Sequence, residues 1–217
     1  DVYAHSSPSL GATTVSVGNV HVNGTVPSMG TLLANASGYR AALGISSLGS
    51  GLTDSGTGLI AQGSSRMLNT APVVWGTAGT YTKTYSVNTR DDSSLSGSTN
   101  NSAITFTVTG NIYTGLGVWN SGTSGDYGSF ANWTTAGGIP GIDGALSVND
   151  TATFAQAGSI TVSLNGRTPS VSALTMSGGS YTLAQGTSGY MTLAKAGGVS
   201  VTASGVQKIS APVVLGN

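Results

Sequence analysis

From residue 159 onward, the sequence repeats one pattern that strongly limits the fold. Apolar stretches of strand length recur about every 8 to 12 residues, with Gly at nearly every break, as at Gly178–Gly179 and Gly197–Gly198. The stretches are residues 160–164, 171–176, 181–183, 190–193, 199–202 and 209–215. A chain that alternates strands and Gly turns without helices either closes a barrel or winds a solenoid. Such short, weakly amphipathic strands favour a β-helix with a narrow Val, Leu and Ile core, and a β-meander is the alternative.

Composition excludes the helical and nucleic-acid-binding classes. Gly alone supplies 34 of the 217 residues, and Ser and Thr are nearly as common. Charged residues make up only 6% of the chain, whereas helical bundles need Glu, Lys, Arg and Leu in quantity. The net charge of +0 cannot neutralise phosphates, so no nucleic-acid partner is expected. An apolar content of 38% without net charge is also atypical of a disordered chain. We therefore predict an all-β protein.

The first half of the chain carries longer strands with a clear period of two. Residues 80–89 place Tyr81, Tyr85 and Val87 at alternate positions, and residues 103–112 do the same with Phe106 and Val108. Polar residues 90–102 connect these two strands. This spacing predicts an immunoglobulin-like β-sandwich over residues 1–112. The Gly-rich grammar that follows predicts a separate β-helix-like domain over residues 113–217.

Residues 117–217 resemble a known family. The motifs are residues 118–120 and 128–133 with two Trp, the turn 139–144, and the strand 149–154 that leads into the short strands. They resemble the opening segment of β-helical, autotransporter-associated β-strand-repeat proteins, which include proteins sorted by a PEP-CTERM signal. The first half is similar to the immunoglobulin-like modules of the same exported bacterial proteins. The resemblance implies export and a role at the cell surface or in a matrix, without catalysis.

The sequence offers no catalytic pattern. His5 and His21 lie far apart in sequence with no carboxylate pattern nearby, and no nucleophile motif with a glycine on each side of a serine stands in an α/β setting. Asp91 and Asp92 are adjacent, so in an extended strand they point to opposite faces and do not form the carboxylate pair of a glycosidase. We expect a protein that is not an enzyme and has no resident cofactor.

Two groups of residues in the opening of the second region could bind ligands. Loop carboxylates could hold Ca²⁺, although no calcium-loop motif is present and turn capping is the favoured interpretation. These carboxylates are Asp126, Asp143 and Asp150. Aromatic side chains at the start of the β-helix could plug its first rung or stack on a sugar. These are Trp119, Tyr127 and Trp133.

Charge and cysteine content indicate where the protein works. The chain has no Cys, which excludes disulfides and thiolate metal sites, and no apolar run is long enough for a transmembrane helix. A surface this poor in charge suits a protein that is fixed in place or built into a polymer. We expect secretion after removal of a signal peptide that precedes Asp1, and an extracellular location at the cell surface.

The two ends of the chain are the predicted assembly elements. Residues 1 to about 22 form an alternating strand without Lys or Glu, and the last rung of the β-helix has no cap. The candidate assembly residues are Val15, Val17, Val20, Val22, Ile209, Val213, Val214 and Leu215. Pairing between copies would build an open homopolymer, whereas the alternative makes residues 1–22 the first strand of their own sandwich. The sequence thus predicts a filament or surface-layer subunit; the alternative is an adhesive or carbohydrate-binding module of a larger bacterial surface protein.

Overall fold

A computed structural model of the chain describes residues 3–195 and 199–216. It is an all-β protein with 49% strand and 3% helix, which confirms the predicted class. The chain forms two compact units. The first comprises Asp1–Gly18, Thr25–Val74 and Thr80–Gly110, and the second comprises Asn19–Gly24, Trp75–Gly79 and Asn111–Asn217. The predicted domains 1–112 and 113–217 stay a prediction, and these units differ from them because two short early segments group with the second unit.

The N-terminal half contains two four-stranded sheets and a two-stranded ribbon. The first sheet has the order β1 (Pro8–Leu10), β4 (Gly30–Asn35), β7 (Ser65–Thr70), β6 (Leu52–Asp54). The second has the order β2 (Thr14–His21), β10 (Ile104–Tyr113), β9 (Gly79–Asp91), β5 (Leu43–Leu48). The ribbon joins β3 (Thr25–Val26) to β8 (Val73–Val74).

Period-two patterning explains why these strands form a β-sandwich. On β9, Tyr81, Tyr85 and Val87 are buried while the Thr residues between them are exposed. Phe106 on β10 lies beside Tyr85, with 6.3 Å between the ring centroids. The first sheet adds its own fully buried side chains, such as Leu33. Each sheet therefore presents one apolar face, as a sandwich core requires.

The second unit contains three separate sheets whose strand pairs are all parallel. The first has the order β11 (Leu116–Val118), β13 (Thr151–Phe154), β16 (Ala173–Met176), β19 (Ser200–Ala203). The second has the order β12 (Gly125–Asp126), β14 (Ser159–Ser163), β17 (Ser180–Ala184), β20 (Lys208–Ile209). The third has the order β15 (Ser170–Val171), β18 (Met191–Ala194), β21 (Val213–Gly216). A meander would pair neighbouring strands antiparallel, so this alternative is wrong.

The chain visits the three parallel sheets in turn, adding one strand to each. We call β16, β17 and β18 the third layer, and β19, β20 and β21 the last layer. Two predicted stretches are broken by the structure: residues 171–176 at Ser172, whose N–H and hydroxyl both donate to the Asp150 carbonyl, and residues 209–215 at residues 210–212. The break predicted at Gly197–Gly198 lies outside the described residues.

A buried carboxylate organises one end of the first unit. Asp91 is 1% exposed and accepts hydrogen bonds from His5, Ser6 and Thr99. Burial alone would raise the pKa of the Asp91 carboxyl, but these hydrogen bonds outweigh burial and hold the pKa well below its ordinary value. The ionised form is therefore the one that the folded unit stabilises.

We expect the first unit to lose stability in acid through Asp91. A depressed folded pKa stabilises the native state above the carboxyl's unfolded pKa of about 3.9, and this contribution disappears as pH falls below that value. The loss should reach about 2 kcal/mol, and Asp91→Asn should flatten this part of the profile. Hydrogen exchange of peptides covering β9 and β10, followed from pH 6 to pH 3, measures it. An unchanged profile in Asp91→Asn would contradict the assignment.

Candidate assembly surface

The last layer forms one edge of each parallel sheet. Within residues 3–195 and 199–216, β19, β20 and β21 each pair with a strand on one side only. An unpaired strand edge presents free backbone N–H and C=O groups and can receive a further strand. We call these three strands the open edge.

The side chains of the open edge repeat the core pattern of the third layer without being buried. In register, Leu174 pairs with Val201 and Leu183 with Ile209. The same register pairs Met191 with Val213 and Leu193 with Leu215. The third-layer partners are at most 5% exposed. The last-layer residues are 39% to 78% exposed, because no further layer covers them in the described residues. We call Val201, Ile209, Val213 and Leu215 the open face.

Val214 lies on the opposite side of its strand from the open face. It pairs with Thr192, which is only half-buried and alternates with the buried Met191 and Leu193. Of the four C-terminal residues predicted for assembly, Ile209, Val213 and Leu215 thus share one face, and Val214 does not. The sequence prediction missed Val201, although its spacing from Leu174 follows the same repeat.

The predicted N-terminal assembly residues lie in the chain's own sheet. Val15, Val17 and Val20 belong to β2, which is hydrogen-bonded to β10, and Val22 donates its N–H to the Tyr113 carbonyl at 2.8 Å. All four valines are half-buried. A donated-strand arrangement of residues 3–22 is therefore not what the described chain adopts, because β10 offers a matching edge without the entropic cost of association. Residues 1 and 2 lie outside the described residues.

The predicted aromatic residues form a buried cluster around the first strands of the parallel sheets. Trp119 and Trp133 form an antiparallel bridge, with their rings edge-to-face at 5.3 Å, and Tyr127 packs on Trp133 at 4.9 Å. All three are at most 2% exposed. Trp133 Nε1 donates to the Tyr127 carbonyl at 2.8 Å, and the Tyr127 hydroxyl donates to the Pro140 carbonyl at 3.0 Å. The alternative of sugar stacking is wrong for these rings, since their faces are inaccessible.

Backbone hydrogen bonds cover the edge of β11 that faces away from β13. The Thr134 N–H donates to the Val118 carbonyl at 2.9 Å, and Gly115 donates to Gly137 at 2.9 Å. The first strand of this sheet is therefore covered, whereas its last strand, β19, is open in the described chain. This asymmetry directs an incoming strand to the C-terminal end of the sheets.

Sequence reasoning missed a buried ion pair that ties the early segment 19–24 into the second unit. His21 Nε2 lies 3.0 Å from Asp150 Oδ1, with the two side chains 5% and 1% exposed. Asp150 Oδ2 accepts the Gly141 N–H at 2.7 Å, and His21 Nδ1 donates to the Val22 carbonyl at 2.7 Å. These groups satisfy one another fully, which is the condition for burying charge without a net penalty.

The three carboxylates considered for Ca²⁺ each have other partners. Asp150 is used in the ion pair, Asp143 accepts the Tyr113 hydroxyl, and Asp126 accepts the Gly128 N–H at 2.6 Å. Burial, followed by the hydrogen bond to Asp143, raises the pKa of the Tyr113 hydroxyl far above its ordinary value, so this group remains a donor. The described residues contain no group of three His, Cys, Asp or Glu side chains that could hold a metal ion.

Comparison with known proteins gives little to transfer. No protein-family model and no curated protein matches the sequence. One solved structure that resembles part of the chain is the ASH / PapD-like domain of human CEP192 (PapD-like domain 7). It is 11% identical, the match covers 49% of this chain and 85% of that one, and the TM-score is 0.37. A likeness this slight carries no argument, and the resemblance to β-strand-repeat proteins receives no support from these comparisons.

Membrane insertion through a helix finds no candidate either. In the part of the chain that the structure describes, no helix is long and apolar enough to span a bilayer.

Proposed function

We propose that the three parallel sheets are the walls of a short β-helix. The support is that the chain passes through the sheets in a fixed order and that their inward side chains form one buried cluster, from Trp119 to Ala211. Successive layers align apolar residue on apolar residue, as in the pair Leu174 and Val201. A fold of this kind is extended by adding layers, so an uncovered layer is a docking surface.

We infer that the protein is a non-catalytic, extracellular structural subunit that assembles into a filament or surface layer through its open edge. The observation that carries this proposal is the exposure of four apolar side chains at the register positions of buried core residues. Secretion and a cell-surface location belong to the proposal through the absence of Cys and the scarcity of charge.

The occupant that fits the open edge is a second copy of this chain. Lys208 is the one charged residue in β19, β20 and β21, so the edge lacks the charges that usually block pairing. Copies with a net charge of +0 also do not repel one another.

Strand β2 is the matching surface on the second copy. It ends its own sheet, leaving one side unpaired in the described residues, and it contains no Lys, Arg, Asp or Glu. Contact between two different edges repeats from copy to copy without closing on itself, which produces an open polymer.

Lysine substitutions on the open face test this proposal. Leu215→Lys and Ile209→Lys should raise the concentration needed for assembly at least about tenfold, because the contact would bury an unpaired ammonium group. Val214→Lys is the matched control, since it adds the same charge to the same strand on the other side. Sedimentation velocity and negative-stain electron microscopy measure the effect.

Two results would contradict the proposal. One is a wild-type chain that stays monomeric at every concentration, and the other is Leu215→Lys polymer indistinguishable from wild type. Circular dichroism of each variant checks the fold, which should be retained because the substituted side chains are exposed in the single chain.

A further inference from the structure

The first unit contains a cavity of about 300 Å³ beside its buried carboxylate. Its lining includes Tyr3, His5, Ala41, Asp91 and the loop 95–98. A cavity of this size accommodates one small ring compound. It is remote in sequence from the open edge, so its use is independent of assembly.

Asp91 cannot supply charge to a ligand in this cavity. Its Oδ1 accepts the Ser6 N–H and hydroxyl, both at 2.7 Å. Its Oδ2 accepts the Thr99 N–H at 3.0 Å and the Thr99 hydroxyl at 3.1 Å, in addition to the contact with His5. With five internal partners and 1% exposure, the carboxylate is saturated.

His5 is held so that one ring nitrogen is left for a ligand. Its Nδ1 lies 2.6 Å from Asp91 Oδ2, yet its side chain is 64% exposed. A carboxylate bound to one imidazole nitrogen fixes the tautomer and the orientation of the ring. Nε2 has no hydrogen-bond partner among the described residues, and it can accept a proton from a hydroxyl group.

Tyr3 supplies a fixed aromatic surface at the same cavity. Its ring stacks on Tyr39 with centroids 4.4 Å apart and an interplanar angle of 14°, and Tyr3 remains 43% exposed. Stacking on one side removes much of the freedom of the ring. The polar groups beside it are the hydroxyls of Ser96 and Ser98.

We propose that this cavity binds one neutral sugar residue of a surface polysaccharide. No Lys or Arg lines the cavity, so it is not built for an anion, and the saturated Asp91 does not attract a cation. An aromatic surface, an imidazole acceptor and two hydroxyls suit a ligand that is uncharged, carries several hydroxyls and has an apolar C–H face. A pyranose ring meets all three conditions.

Nuclear magnetic resonance of the full chain tests the proposal directly. The probes are glucose, galactose, mannose and N-acetylglucosamine at millimolar concentration. At least one should receive saturation transfer from the protein and shift the Nε2 resonance of His5. The chain has only two His, so the buried His21 is an internal control whose signals should not move.

Two variants separate binding from folding. Tyr3→Ala should weaken the binding of that sugar about fivefold to tenfold, through loss of the stacking surface. Tyr190→Ala, which removes a comparably exposed Tyr from the second unit, should leave it unchanged. The proposal is overturned if no probe shows transfer, if glycerol shifts His5 as much as the sugars do, or if Tyr3→Ala binds as tightly as wild type.

Discussion

Asp150→Ala is expected to lower the free energy of unfolding of the second unit by about 3 to 5 kcal/mol. The substitution leaves His21 Nε2 and the Gly141 N–H buried without their acceptor. Removing one partner of a buried ion pair is costly because the remaining group keeps its desolvation penalty. Urea unfolding followed by Trp fluorescence reports this unit, since all 3 Trp residues belong to it.

Asp126→Asn is the control for this substitution. Asp126 is half-buried, and an amide oxygen can still accept the Gly128 N–H. We expect a loss below about 1 kcal/mol for Asp126→Asn. Equal losses in the two variants would show that the ion pair has no special role in holding residues 19–24 in the second unit.

Gly115→Ala is expected to destabilise the same site by at least about 3 kcal/mol. A Cβ at this position would lie 2.0 Å from Asp150 Oδ1 and 2.6 Å from His21 Nε2. Gly115 also has φ +79°, a backbone conformation that costs other residues about 1 kcal/mol or more. The steric clash therefore adds to the backbone strain, and the ion pair has to separate to make room.

Gly144→Ala isolates the backbone contribution. Gly144 has φ +58°, but a Cβ there would meet nothing within 4 Å. We expect a loss of only about 1 kcal/mol for Gly144→Ala, measured by the same urea unfolding. If Gly115→Ala is no worse than Gly144→Ala, the close approach of Gly115 to the ion pair is not required for stability.

Local periodicity explains how much of the fold was predictable. Alternation on β9 and β10 indicates which side chains are buried, because a strand points successive residues to opposite faces. The recurring short strands likewise indicate parallel or closed architecture before any pairing is known. Register across layers follows from equal spacing, as with Leu183 and Ile209.

Long-range polar contacts explain what was missed. His21 and Asp150 are separated by 129 residues, and His5 and Asp91 by 86, so no local pattern links them. The strand containing Val15 and Val17 reads equally well as donated or retained, because sequence does not say which edge it meets. Only the position of β10 in the fold decides between the two.

Hydrogen exchange on assembled protein tests the central claim most directly. In the polymer, the backbone amides of β19, β20 and β21 should exchange at least about tenfold more slowly than in the single chain, because a neighbouring copy would cover the open edge. Peptides from β16 to β18 are already paired on both sides and should change little. Polymer in which the open edge exchanges as fast as in the monomer would contradict assembly through this surface.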